Sequence, residues 1–250
     1  MISDLPPEPP VKYEQVVSQP ASILEEKAKI PPIRYQAISD GAFAYGAQAG
    51  NASMSYKILK KLEKLEPILN RSMNFDLLML DKNVVPPVLV ESHGSMSQDG
   101  DTVLRLADAT YKIERPARFT TVPLSWRDYL LTGLNYDAPL PIKSLLPRNS
   151  DEKEVWEKFS ADGWIMGEEQ AEQVFIDNLH RMERDIAGMV IYRNLLAKKM
   201  VTEPYVAQSN LGVTGDGASM NVNDRVLRIT VPSSLNTDSG KWAPRATPLK

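Results

Sequence analysis

His93 and Ser95 are the first residues whose types could do nucleophilic chemistry, in Ser92-His93-Gly94-Ser95. A serine nucleophile needs a base held in place by a third group, and a nucleophile elbow needs the pattern GxSxG. Gly94-Ser95-Met96-Ser97 lacks that spacing, so the two residues read as neighbours in a polar loop. Asp99-Gly100-Asp101 opens like a calcium loop. The further oxygen ligands and the closing bidentate glutamate of a twelve-residue loop are missing, so a solvated turn is expected. The glycine-rich run Gly212 to Gly217 (GVTGDG) could cradle phosphate only as GxxxxGK[ST] or GxGxxG opening a helix. Strand formers follow it, so a hairpin turn is expected. Glu168, Glu169 and Glu172, or Glu183 and Asp185, could supply the paired acids of a glycosidase. Among lysines and arginines at helical spacing they read as a solvated face. Trp126, Trp156, Trp164 and Trp242 read as core or interface anchors.

Composition narrows the chemistry further. The 250 residues contain no cysteine and two histidines. This excludes a disulfide framework, Cys-ligated zinc, iron–sulfur clusters and thiol catalysis. His93 and His180 are far apart and form no HExxH pattern. No catalytic centre, cofactor site or metal site emerges from these residues, although a catalytic set can also be assembled from distant positions. Lys plus Arg is 29 against 32 for Asp plus Glu, a net charge of −3. That balance lacks the basic footprint of a nucleic-acid protein or a polybasic membrane binder. No apolar run approaches the roughly 20 residues of a membrane helix. Met1 to Pro10 (MISDLPPEPP) has neither the basic nor the apolar region of a secretory signal.

The elements that must position any site follow from periodicity and punctuation. Residues 1–32 hold seven prolines and read as a flexible leader, with one short helical turn at Ser22 to Lys29. Ile33 to Glu66 reads as a helix that begins after Pro32 and stops at Pro67. Gly46 and Gly50 lie four apart on one of its faces. Glycine is costly inside a helix, so the spacing predicts close backbone approach to a neighbour. A second helix is expected from Ile68 to about Leu80. Val84 to Val90 (VVPPVLV) reads as an edge strand or an ordered crossing segment, because Pro86 and Pro87 exclude a central strand. Ser92 to Asp101 reads as a loop, and Thr102 to Glu114 with Arg118 to Val122 as strands. A short helix starts at Trp126 after Ser125. Asp151 to Met200 reads as two helices, capped by Asn149 or Ser150 and broken or bent at Gly163 and Gly167. After Pro204, Tyr205 to Thr214 and Val226 to Val231 form a hairpin around Gly215-Asp216-Gly217. The expected fold class is α+β, mostly helical, with a few short strands and a C-terminal β-hairpin. The expected organisation is a leader (1–32), one body domain (33–238) and a polar tail (239–250).

Laid out this way, the chain resembles the DotC/TraI family of type IVB secretion and IncI-type conjugation lipoproteins. The residues that carry the resemblance begin with Gly46 to Gly50 (GAQAG) and Asn74 to Glu91 (NFDLLMLDKNVVPPVLVE). They continue with Arg105 to Phe119 (RLADATYKIERPARF), Trp126 to Tyr129 (WRDY) and Leu145 to Asn149 (LLPRN). Gly188 to Ala197 (GMVIYRNLLA), Leu211 to Gly217 (LGVTGDG) and Asp224 to Thr230 (DRVLRIT) complete them. The resemblance covers residues 33 to 238.

The resemblance implies a structural role rather than a catalytic one. It implies a subunit of the outer-membrane core (cap) complex of a secretion or conjugation channel, on the periplasmic face of the outer membrane. There it would work with a DotD-like lipoprotein to recruit or hold a DotH-like channel subunit, with no direct nucleic-acid contact. Family members are anchored by an acylated N-terminal cysteine, which this chain does not contain. Partner contacts are expected at Pro86, Pro87, Leu211, Val213, Thr214 and Asp216, because exposed strand edges pair with other chains. The alternatives are a cell-wall-processing enzyme of the same machinery, which requires a cleft with two carboxylates, and a cargo adaptor.

Overall fold

A computed structural model describes residues 5–19 and 30–243. The helical turn expected at Ser22 to Lys29 and residues 244–250 of the tail lie outside the described residues. The fold is α+β, with long helices and three two-stranded antiparallel sheets. Where one body is expected, the chain packs as two compact units, each assembled from two stretches of sequence. The first comprises Met1–Met73 and Trp126–Arg181, the second Asn74–Ser125 and Met182–Lys250.

The first unit is built on two long helices. Helix α2 runs Pro32–Ser72 with Pro32 in its first turn, where a missing N–H is harmless. It does not stop at Pro67 but carries that proline inside and ends at Met73. No separate helix starts at Ile68; a 3₁₀ turn at Phe75–Leu77 follows instead. Helix α4 runs unbroken over Ser150–Ala197 and passes from the first unit to the second after Arg181. Asn149 caps it, its Oδ1 accepting from the Glu152 N–H at 2.8 Å.

The two helices lie parallel within this unit, because contacts advance together along both. Arg34 meets Glu152, Gly46 meets Ser160, Gly50 meets Trp164, and Lys57 meets Glu168. A Cβ on Gly46 would lie 2.2 Å from the Ser160 carbonyl oxygen, and one on Gly50 2.1 Å from that of Trp164. In return, a Cβ on Gly163 would lie 2.2 Å from the Phe43 carbonyl oxygen, and one on Gly167 2.0 Å from that of Ala47. The close approach expected of Gly46 and Gly50 is thus found. Gly163 and Gly167 do not break α4; they are its half of the same contact.

Residues of the expected leader pack onto this helix pair. Helix α1 (Tyr13–Val17) buries Val16 completely, and Val11 just before it almost so, against Ala49 and Trp164. The Trp156 indole N–H donates to the Val16 carbonyl at 3.0 Å, and the Tyr56 hydroxyl to the Pro6 carbonyl at 2.6 Å. The prolines flank α1 rather than prevent it, and its apolar anchors dock residues 5–19. A second cluster joins Ile38, Ala42 and Trp156. Helix α3 (Trp126–Leu130) starts as expected, with the Trp126 N–H donating to Asn70.

In the second unit, β1 (Val84–Val85) pairs with β4 (Arg118–Phe119), and β2 (Val88–Gln98) with β3 (Leu104–Arg115). Ser92 to Gln98 is therefore strand, not loop. It escapes periodicity because the distal hairpin has no buried face to impose alternation. Strands β5 (Tyr205–Gly215) and β6 (Met220–Val231) form the expected C-terminal hairpin. The core gathers Leu89, Tyr192, Leu195 and Val201. Gly188 of α4 lets Val88 and Leu89 approach the helix backbone.

Candidate partner-binding hairpin

The β5–β6 hairpin brings together four of the six residues singled out by sequence. Its turn is held by Asp216, whose Oδ1 accepts from the Ala218 and Ser219 N–H groups at 2.9 and 2.8 Å. Those two bonds, with one from the Ser219 hydroxyl, hold the Asp216 carboxyl below its ordinary range. Thr214 donates from its hydroxyl to Asp224 across the strands. Val213 stands opposite Val222, and Gly215 opposite Met220. Val213 and Val222 are 63% and 65% exposed, and Met220 is 70% exposed. Leu211 is also exposed. Gly212 and Asn223 both take positive φ, +79° and +59°, where the register shifts. This paired irregularity re-aims the distal end of the hairpin.

The edge chemistry of β5 separates it from the other long strands. From Tyr205 to Gly215 it carries no charged side chain. Strand β6 carries Asp224, Arg225 and Arg228, β2 carries Glu91, and β3 carries Arg105, Asp108, Lys112, Glu114 and Arg115. Strand edges that stay in water are normally blunted by charge or proline. Strand β5 has neither among its own residues; Lys82 reaches only its start, donating to the Val206 carbonyl at 3.3 Å, and leaves the stretch around Val213 uncharged.

Pro86 and Pro87 belong elsewhere. Both are buried in the second unit, between β1 and β2. Apolar VVPPVL packs inward, which leaves neither ring a surface to offer, so the expectation of a contact there is corrected. Met220 and Val222 were missed, because the second strand was expected to start only at Val226, whereas β6 starts at Met220.

The residues that could do chemistry are dispersed. Ser95 shares a hydrogen bond with Thr110 at 2.7 Å, and His93 stands 3.7 Å from Glu91. Glu168 is tied to Lys57 at 2.7 Å, and buried Asp185 pairs with Arg115. Glu152 receives Arg34 through two hydrogen bonds, at 3.1 and 3.0 Å. Burial pushes the Glu152 carboxyl up, but Arg34 and the Arg148 N–H outweigh it and hold the pKa below the ordinary value. Among the described residues no three His, Cys, Asp or Glu side chains are grouped to hold a metal ion. Trp126, Trp156 and Trp164 are buried anchors.

A mostly helical α+β chain with an edge-exposed hairpin near its C-terminal end is the class of protein these elements define. Residues 32–244 match the T4SS_TraI family, described as type IV secretory system, conjugal DNA-protein transfer, and the chain belongs to that family. It therefore takes part in type IV secretion and conjugal transfer, which suggests a cell-envelope location. No curated protein matches the chain. Among the described residues no helix is long and apolar enough to cross a membrane.

Proposed function

We propose that this chain is a non-enzymatic structural subunit of the outer-membrane core complex of a type IVB secretion or conjugation system. In this reading it works with a DotD-like lipoprotein to hold a DotH-like channel subunit, on the periplasmic face of the outer membrane. An N-terminal lipid outside the present sequence would anchor it. The observation that carries the reading is the uncharged edge of β5 beside the exposed Val213–Val222 pair. A two-stranded hairpin is marginal alone in water and gains stability when another strand pairs with it. The displaced Glu152 and Asp216 carboxyls fit this role, because each is accounted for by contacts that hold the fold.

The test is co-expression of the full-length chain with its DotD-like and DotH-like neighbours, followed by affinity capture from detergent-solubilised outer membranes. Joint recovery of the three is expected. Val213→Asp with Val222→Asp should abolish it while leaving the melting temperature unchanged. A wild-type chain recovered alone would overturn the scaffold reading. Joint recovery that survives the double variant would remove the hairpin from it.

A further inference from the structure

The α2–α4 pair carries a groove on the side away from α1. Tyr45, Ala49 and Tyr56 form the stripe of α2 that faces the N-terminal segment. Met54, Ile58 and Leu65 lie on the other side of α2, and with Phe175 and Ile176 of α4 they line an apolar groove of about 580 Å³. Leu65 and Ile176 are both more than 40% exposed there. Such a volume is that of a ligand-sized cleft.

Its two walls carry opposite charge at matching intervals. Lys57 and Lys61 stand four apart on α2, and Glu168 and Glu172 four apart on α4. Lys57 and Glu168 bridge the groove at 2.7 Å and close one end. One turn further along both helices, Lys61 and Glu172 line the groove, and neither has an ion-pair partner among the described residues. There the apolar floor lies open between an unpaired cation and an unpaired anion.

On the opposite side, the same helix pair already accepts the segment that carries the short helix α1, through Val16 of that helix and Val11 just before it. We propose that the groove docks an amphipathic helix of a partner protein, with an apolar stripe flanked by carboxylates on one side and basic residues on the other. The apolar stripe would sit on Ile58, Leu65 and Phe175, the acidic flank on Lys61 and the basic flank on Glu172. Because turning a helix end for end exchanges its flanks, the two walls also set its chain direction. This surface is on the first unit and does not depend on the hairpin.

The test uses labelled peptides of about 16 residues with one leucine stripe and three flank designs. One design has Glu on one side and Lys on the other; the remaining two carry Lys or Glu on both sides. Fluorescence anisotropy against the full chain should show the mixed peptide binding about fivefold or more tightly than either uniform one. Lys61→Glu should remove that preference, and Lys61→Glu with Glu172→Lys should restore it. Phe175→Asp should abolish binding, with circular dichroism confirming the fold. Three peptides bound equally, or none bound, would overturn the proposal. Palmitate that displaces the peptide, bound with no effect of Lys61→Glu, would assign the groove to an acyl chain instead. Concentration-dependent dimerisation lost in Phe175→Asp would assign it to a second copy of this chain.

Discussion

Gly50 of α2 and Trp164 of α4 meet backbone to backbone: a Cβ on Gly50 would lie 2.1 Å from the Trp164 carbonyl oxygen. No side chain separates the two helices there. Gly46, Gly163 and Gly167 repeat the relationship along the same seam. The approach buries Ala49 and aligns the surfaces that hold α1.

Gly50→Ala should therefore destabilise the first unit. Alanine gains about 1 kcal/mol of helix propensity over glycine. The clash is with backbone, which cannot turn aside, so the helices must separate, and overpacking costs about 1–3 kcal/mol before the lost contacts are counted. The expected net loss is about 2 kcal/mol. Thermal melts read it directly, with Gly217→Ala as a control, since a Cβ there meets nothing within 4 Å. An unchanged midpoint for Gly50→Ala would show that the helices are not in backbone contact.

Arg34 and Glu152 should make stability depend on acid. Arg34 also donates to the Ser144 and Leu146 carbonyls, so one guanidinium joins both helix starts to the segment before α4. The Glu152 carboxyl is held below its ordinary value in the folded chain. Such a group stabilises fully above the pKa of an unfolded glutamate, about 4.3, and the stabilisation is lost as pH falls through the folded value. Arg34→Ala leaves a buried carboxylate unpaired and should cost on the order of 3 kcal/mol at pH 7. Wild type and variant should converge as the pH is lowered below about 4. Urea melts across pH 3–7 measure this, and parallel curves would remove the pair as the cause.

Much of this seam was legible, and what was not has a physical reason. Gly46 and Gly50 announced a close approach because glycine inside a helix needs a cause. Gly163 and Gly167 carry the same signal, but at the spacing of a possible helix end they read as a break. Only the facing helix distinguishes the two readings. Pro67 misled in the same way, since α2 runs on to Ser72 around it. The β2 strand was invisible beyond Glu91, because a hairpin wet on both faces has no alternation to read. Pro86 and Pro87 read as part of an edge strand or crossing segment open to partners, yet the valines and leucine on either side pull them into the core. For the hairpin site, the turn and Val213 were legible, whereas the uncharged β5 edge became meaningful only once β6 was seen to cover just one side.

Docking of residues 5–19 rests on very few groups. Val16 is fully buried, its carbonyl is held by Trp156, and Tyr13 stacks edge-on against Trp164 with ring centroids 5.5 Å apart. Val16→Asp would bury a carboxylate beside Ala49 and Trp164, which costs more than the segment's contacts can supply. The expected result is release of the segment without global unfolding. Limited proteolysis should cut the variant between residues 5 and 19 while leaving wild type intact, and tryptophan fluorescence should shift to longer wavelength. An uncleaved variant would show that other contacts hold the segment.

Asp185 and Arg115 make the last case, within the second unit. Asp185 lies on α4 and is fully buried, and Arg115 reaches it from the end of β3. Arg184 stands 3.7 Å from the same carboxylate oxygen. Burying the Asp185 carboxylate is expensive, so the pair gains little over an apolar pair of similar size, but removing Arg115 takes an opposite charge away from a carboxylate in the core. Arg115→Ala should cost up to about 3 kcal/mol, and Asp185→Ala less, because the Arg115 side chain it leaves behind is 42% exposed. Asp185→Leu combined with Arg115→Leu should recover a large part of that loss, since neither charge then remains. A double-mutant cycle by chemical denaturation measures the coupling. Strong positive coupling is expected. Additive losses would mean that Asp185 is satisfied by other groups and that Arg115 contributes only through the packing of its side chain at the end of the β3 strand.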